Sequence, residues 1–139
     1  MNSDRRRIVV DTSTLVGAVI KPSSIPARAL DLIRLQGDIA VSHETLDELR
    51  AVLDRDYLDR YSNRDDRQSF LALYEQTAIF IEITEHANDC RDPKDNKFLS
   101  LALSANATLI ISSDADLQVL HPYRGIAVLS PAQLIALAV

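Results

Sequence analysis

Asp92 and Asp95 stand three residues apart in Arg91-Asp92-Pro93-Lys94-Asp95-Asn96-Lys97, just ahead of the apolar run Phe98, Leu99, Leu101, Ala102, Leu103 and Ala105. Proline after a candidate N-cap aspartate, followed by apolar residues at mostly helical spacing, predicts a helix from Pro93 to about Asn106. The positive end of the helix dipole tolerates carboxylates in the first turn, and residues three apart face the same way. One acid there is a cap. A second, Asp95, followed by Asn96, exceeds what a cap needs. Further acids follow two short apolar runs: Asp11 after Ile8-Val9-Val10, and Asp114 and Asp116 after Leu109-Ile110-Ile111. Carboxylates brought together repel and raise one another's pKa. A hard divalent cation with oxygen ligands relieves that conflict, and Mg²⁺ or Mn²⁺ suits such a set better than zinc.

Whether these acids meet depends on the elements that carry them. Ile8–Val10 and Thr108–Ile111 read as strands buried on both faces, the signature of a parallel sheet. Asp38–Val41, Ile79–Ile83 and Ile126–Leu129 read as three more strands. Helices are predicted over Leu15–Ile20, from Pro26 to about Gln36, from Ser42 to Leu53, from Arg64 to about Ala78, through Leu120 and over Ala132–Ala138. Gly37 reads as a helix stop, and Ser130-Pro131 as the opening of the last helix. In the second helix Ala29, Leu30, Ile33 and Leu35 form the apolar side. In the fourth, Phe70, Leu71, Leu73 and Tyr74 do. Ser42 with Thr45 falls short of a full capping box because no acid stands at the third helical position. The stretch Asp54–Asp66, with Tyr57, Leu58 and Tyr61 as its apolar residues, reads as a loosely packed short helix or turn with a solvated charged surface. Strands separated by helices give a three-layer α/β/α sandwich around a mostly parallel sheet. The carboxyl ends of parallel strands share one rim, where open α/β sheets place their ligands. Topology thus collects Asp11, Asp114 and Asp116, and the helix opened by Asp92 and Asp95 starts near the same edge. Asp11 or Ser13 could equally do no more than cap a helix. Glu48 lies beside the apolar stripe Leu46, Leu49, Val52 and Leu53, and periodicity alone makes it a solvated boundary residue.

At 139 residues, 47% hydrophobic and 25% charged, the chain has the size and composition of one globular domain, residues 1–139. The single Cys90 leaves no intramolecular disulfide and suits a reducing, cytoplasmic location. His86 and Cys90 have no partner residues for a zinc site. No apolar run is long enough to span a bilayer, so no membrane association is expected. A net charge of −5 argues against bulk electrostatic attraction to nucleic acid, although Arg outnumbers Lys among the 15 basic residues and is the better phosphate fork.

Val10-Asp11-Thr12-Ser13, Leu46-Asp47-Glu48-Leu49, Arg91-Asp92-Pro93-Lys94-Asp95-Asn96-Lys97-Phe98-Leu99, Ser113-Asp114-Ala115-Asp116-Leu117 and Leu129-Ser130-Pro131-Ala132 together resemble the PIN-domain family. The similarity is strongest to its VapC-like branch, toxins of bacterial toxin–antitoxin pairs, and extends from about Ile8 to Leu137. Ser13 stands where many members carry Asn, and Ser113 where many carry Gly. The resemblance implies a metal-dependent ribonuclease with Asp11, Glu48, Asp95 and Asp114 as its acidic quartet. It implies Asp116 as a replacement or supplement for Asp114, and Ser13, Asp92 and Asn96 in support. Mg²⁺ or Mn²⁺ would be the cofactor, RNA the substrate, a cognate antitoxin the partner, and a homodimer the assembly. Arg91, Lys94 and Lys97 would bind phosphates or form a solvated helix edge. An aspartyl phosphatase on the same kind of sheet is disfavoured, since Ser13 replaces the second Asp of an Asp-x-Asp motif and no lysine follows a late strand. A partner-binding domain without turnover is the remaining alternative.

Overall fold

A computed structural model describes residues 5–138. In chain order the elements are β1 (Arg6–Val10), α1 (Thr12–Ile20), α2 (Ile25–Gln36), β2 (Gly37–Val41), α3 (His43–Leu53), α4 (Arg64–Thr77), β3 (Ile79–Phe80), α5 (Asn96–Ala105), β4 (Leu109–Ile111), α6 (Ala115–Gln118), β5 (Ala127–Leu129) and α7 (Pro131–Leu137), with 3-10 turns over Asp56–Arg60 and Pro93–Asp95. The five strands form one sheet in the order β3-β2-β1-β4-β5, and all four pairings are parallel. Ile8 at the centre pairs with Ile39 on one side and Leu109 on the other.

Alternation along the strands splits the core in two. Ile8, Val10, Ile39, Val41, Leu109 and Ile111 face the layer built from α1, α2, α3, α4 and α7. Val9, Ala40, Ile110 and Val128 face α5 and the segment that carries Ala87 and Cys90. This is the expected α/β/α arrangement. After β1 the chain builds outward through β2 and β3, then returns to add β4 and β5 on the other side. The order reverses between β1 and β4, and a crevice opens at such a switch point.

Several local expectations change. Gly37 does not end α2 through a left-handed turn; its backbone is extended, and it begins β2. A Cβ there would lie 2.3 Å from the Arg6 carbonyl oxygen, so close strand approach explains the residue. The expected strand Ile79–Ile83 is only Ile79–Phe80, because β2 ends at Val41 and offers nothing further to pair with beyond one bond from the Ile81 N–H to the Val41 carbonyl. Thr45 completes the capping box without an acid: its N–H donates to Ser42 Oγ, and its Oγ1 accepts from the Ser42 N–H. Leu35 and Leu73 are exposed, each rotated off the buried stripe of its helix. Pro93 opens a 3-10 turn, and the α-helix proper starts at Asn96.

The charged stretch before α4 is better anchored than expected. Arg67 is fully buried. Its Nε donates to the Leu53 carbonyl at 2.8 Å, one terminal nitrogen to the Ser62 carbonyl at 2.5 Å, and the other to Asp59 at 2.7 Å. One guanidinium thus ties the end of α3 and the 3-10 turn to α4. Arg67→Met is expected to lower stability by about 1–3 kcal/mol for each buried acceptor left without a donor. Arg67→Lys should recover little, since an ammonium lacks the planar fork. Urea melts of both variants check this; a midpoint unchanged in Arg67→Met would show the fork to be dispensable.

Candidate active site

The carboxyl ends of β1 and β4 stay joined past the last strand residues, with the Asp11 N–H donating to the Ile111 carbonyl at 3.0 Å. Asp11 is 3% exposed. Its Oδ1 accepts the Thr14 N–H at 3.0 Å and so caps α1. Its Oδ2 accepts from Ser112 Oγ at 2.5 Å, the Ser113 N–H at 3.2 Å and Ser13 Oγ at 3.4 Å. Burial pushes the Asp11 pKa up, and the bonds from Ser112, Thr14 and Ser113 act against that shift. Capping and clustering are therefore one role.

Glu48 projects from α3 toward the same place. It accepts from Thr12 Oγ1 at 2.5 Å and from Lys97 Nζ at 2.7 Å. It is therefore not a solvated boundary residue. Lys97 correspondingly forms no free helix edge: its side chain is 9% exposed and also donates to the Lys94 carbonyl. Its ammonium is engaged by Glu48 in this structure. Arg91 and Lys94 are exposed.

Asp95 ends the 3-10 turn before α5, where its carboxyl meets that of Asp114. Burial, then the hydrogen bond and charge of Asp114, push the Asp95 pKa up to about 7, with Asp92 adding to the rise and Lys97 opposing it. Asp95 therefore takes up a proton more readily than a free carboxylate does. Asp114 also caps α6 by accepting the Asp116 N–H at 2.9 Å. Asp92 caps the 3-10 turn through the Lys94 N–H at 3.1 Å. Asn96 accepts the Cys90 N–H at 2.9 Å and ties the preceding loop to α5.

Asp11, Ser13, Glu48, Asp95 and Asp114 line one cleft of about 320 Å³. Asp116, Asp92 and Asn96 lie outside its lining. Thr12, which orients Glu48, and Ser112, which orients Asp11, are positioned residues that sequence reading did not single out. Their only signal was a hydroxyl within two residues of a candidate acid. Arg55 and Tyr57 also line the cleft and were read only as part of a charged turn.

The donor set is entirely oxygen, which fits a hard divalent ion. Among the described residues no three His, Cys, Asp or Glu side chains close around a common point as placed. Instead, the Lys97 ammonium holds Glu48, and burial and the neighbouring Asp114 push Asp95 toward its protonated form. Both mark an excess of carboxylate, the charge condition that Mg²⁺ or Mn²⁺ would satisfy.

A family model described as PIN domain matches residues 7–116, which takes in Asp11, Glu48, Asp95 and Asp114. The chain belongs to the PIN-domain family. It is 30% identical over 119 residues to an uncharacterized protein of Methanocaldococcus jannaschii, covering 84% of this chain and 76% of that one. Among solved structures, VapBC2 from Rickettsia felis bound to a DNA fragment from their promoter has a similar chain, with a TM-score of 0.61 and 16% identity, covering 89% of this PIN domain and 98% of that chain. PAE2754 from Pyrobaculum aerophilum gives a TM-score of 0.62 with 16% identity over 99% of both chains. At that identity the likeness establishes the fold. Among the described residues, no helix of this PIN domain is long and apolar enough to cross a membrane.

The raised Asp95 pKa makes a stability prediction. Between 3.8 and about 7 the folded state holds a proton that the unfolded chain has released. Its contribution is complete below that window and is lost as pH rises through the folded value. In EDTA, Tm should fall from mildly acid pH to pH 8, and Asp95→Asn should flatten the decline. An equal decline in the variant would assign the titration to another group.

Proposed function

We propose that this PIN domain is a ribonuclease dependent on Mg²⁺ or Mn²⁺, and that it serves as the toxin of a toxin–antitoxin pair. The observation that carries the catalytic part is the convergence of Asp11, Glu48, Asp95 and Asp114 on one cleft at the sheet's switch point. Four carboxylates gathered in one cleft with a single buried lysine against them are arranged at a cost to stability, which makes sense at a site built to hold cationic charge. A bound divalent ion supplies an activated water and charge stabilisation on the phosphate.

The chain's own residues have separable tasks in this reading. Asp95 and Asp114, which line the cleft together, would hold the ion. Asp11 is fixed by Thr14, Ser112, Ser113 and Ser13, so it presents its carboxylate with little freedom. Glu48, held between Thr12 and Lys97, is placed to accept the proton of an attacking water. Asp116 remains a supplementary acid and Asp92 a cap whose charge raises the affinity of its neighbours for cations. The toxin reading is supported by the sequence resemblance, and by the fold shared with a chain from the Rickettsia felis VapBC2 structure. A cognate antitoxin, a homodimer, a single domain and a cytoplasmic location go with it.

The direct test is cleavage of mixed structured and unstructured RNAs by purified protein. Cleavage is expected with Mg²⁺ or Mn²⁺ and should stop with EDTA. Activity that persists in EDTA would remove the metal from the reading. No cleavage of total cellular RNA in either metal would favour a partner-binding domain. Growth arrest on expression, relieved by the product of a neighbouring gene for a small DNA-binding protein, tests the toxin assignment separately.

A further inference from the structure

Beyond the carboxylates the cleft is lined from α3 and the turn that follows it. Glu48 and Val52 of α3 and Val16 of α1 line it. Arg55, two residues past the end of α3 and extended in its backbone, and Tyr57, in the 3-10 turn that follows, line it too. The cleft is thus a trough lined by acids, apolar residues, an arginine and a tyrosine.

Arg55 is set apart from its neighbours. Asp54 and Asp56 flank it in sequence, yet both bind Arg64, at 2.5 and 2.9 Å. Arg50 pairs with Asp47 and Glu75, and Arg67 with Asp59. Among the described residues Arg55 makes neither an ion pair nor a side-chain hydrogen bond, and it is the one basic residue lining the cleft. Tyr57 is 55% exposed and stacks on no other ring among the described residues. A chain of net charge −5 whose cleft floor is acidic needs local positive charge to hold an anionic substrate. An unpaired aromatic face beside it offers a platform for a base.

We propose that Arg55 and Tyr57 form a subsite for a nucleotide flanking the scissile phosphate, with Arg55 on a backbone phosphate and Tyr57 stacked on its base. The inference rests on the ribonuclease reading and names residues of this chain that would hold the strand beside the acids. Stacking on a side chain requires a base that is free of its helical neighbours, so the trough selects single-stranded over paired RNA.

The test is fluorescence anisotropy with a labelled single-stranded RNA of mixed sequence, and with the same strand annealed to its complement, at low salt in EDTA so that nothing is cut. The unaltered protein is expected to favour the single strand. Tyr57→Ala should weaken that binding roughly 5- to 100-fold, the loss for one stacked base. Tyr57→Phe and Tyr57→Trp should retain it. Arg55→Ala should also weaken it and reduce the slope of log affinity against log salt by about 0.7, one phosphate contact. Tyr57 is exposed, so its replacement leaves the core intact, which a thermal melt verifies. Unchanged affinity in Tyr57→Ala, or equal losses on single and paired RNA, would overturn the subsite while leaving metal-dependent cleavage standing. No RNA binding or cleavage by the unaltered protein would overturn both.

Discussion

Asp95→Asn is expected to reduce RNA cleavage on the order of 10³-fold or more, because the acids act as a unit and loss of one disables the rest. The same substitution should leave the fold intact. Asn cannot take up the proton that burial and Asp114 press on Asp95, but it removes the like charge that makes the proton necessary. In EDTA at pH 8, Asp95→Asn should therefore be at least as stable as the unaltered protein. Mn²⁺ at a hundredfold excess over its Kd stabilises a folded protein by about 2.7 kcal/mol. That gain, visible as a rise in Tm, should vanish in Asp95→Asn. Asp11→Asn should be equally inactive but less stable. Asp11 Oδ2 accepts from Ser112, Ser113 and Ser13, and an amide nitrogen in that position would face donors. The double variant should cleave little worse than either single one. Asp92→Asn should lose much less, since Asn also caps a helix start. Full cleavage by Asp95→Asn would mark the activity as a contaminant. A retained Mn²⁺ shift would exclude Asp95 from the ion's surroundings.

The polarity of the sheet made half of this site legible. Two apolar runs that end in acids imply parallel strands with those acids on one rim, and Asp11 and Asp114 occupy it. Asp95 could be placed because proline and an N-cap fix where its helix begins, although the first turn proved to be 3-10. Glu48 was not legible by periodicity. It sits beside the buried stripe of α3, and what gives it a role is Thr12 and Lys97, 36 and 49 residues away. The partner of Lys97 was not legible for the same reason. Its position in the first turn of α5 is clear from sequence, but the carboxylate facing it belongs to another helix. Arg67 is a further case. A basic residue among acids reads as surface, and only the approach of α4 to the end of α3 buries it. The two hydroxyls that fix the acids, Thr12 and Ser112, are ordinary strand-end residues until the rim is assembled. The shortened β3 reflects its neighbour, since an apolar run cannot extend a sheet past the last residue that β2 has to pair.

Lys97→Met is expected to separate catalysis from ion binding. The Lys97 ammonium lies 2.7 Å from Glu48 Oε2, donates to the Lys94 carbonyl and sits 5.6 Å from the centre of the Phe98 ring. It is the cation through which Glu48 is held against Thr12. Without it Glu48 keeps one hydrogen bond and gains freedom to swing, and loss of such an orienting partner typically costs about 10- to 100-fold in activity. Removing a positive charge beside Asp95, which Lys97 otherwise helps to keep ionised, should not weaken attraction for a divalent ion. The Mn²⁺-induced rise in Tm should be as large as in the unaltered protein, or larger. Glu48→Gln keeps an acceptor oxygen for only one of the two partners and loses the proton-accepting charge, so it should fall at least as far in rate. Lys97→Met combined with Glu48→Gln should add little to Glu48→Gln alone, because Lys97 acts through Glu48. RNA affinity in EDTA supplies the decisive contrast. A lysine that bound phosphate would, on removal, weaken RNA binding and flatten its salt dependence. A lysine committed to Glu48 leaves both unchanged, and that is the result expected here. Loss of the Mn²⁺ shift in Lys97→Met, or a drop of about 0.7 in the salt slope, would return Lys97 to the ion or to the substrate.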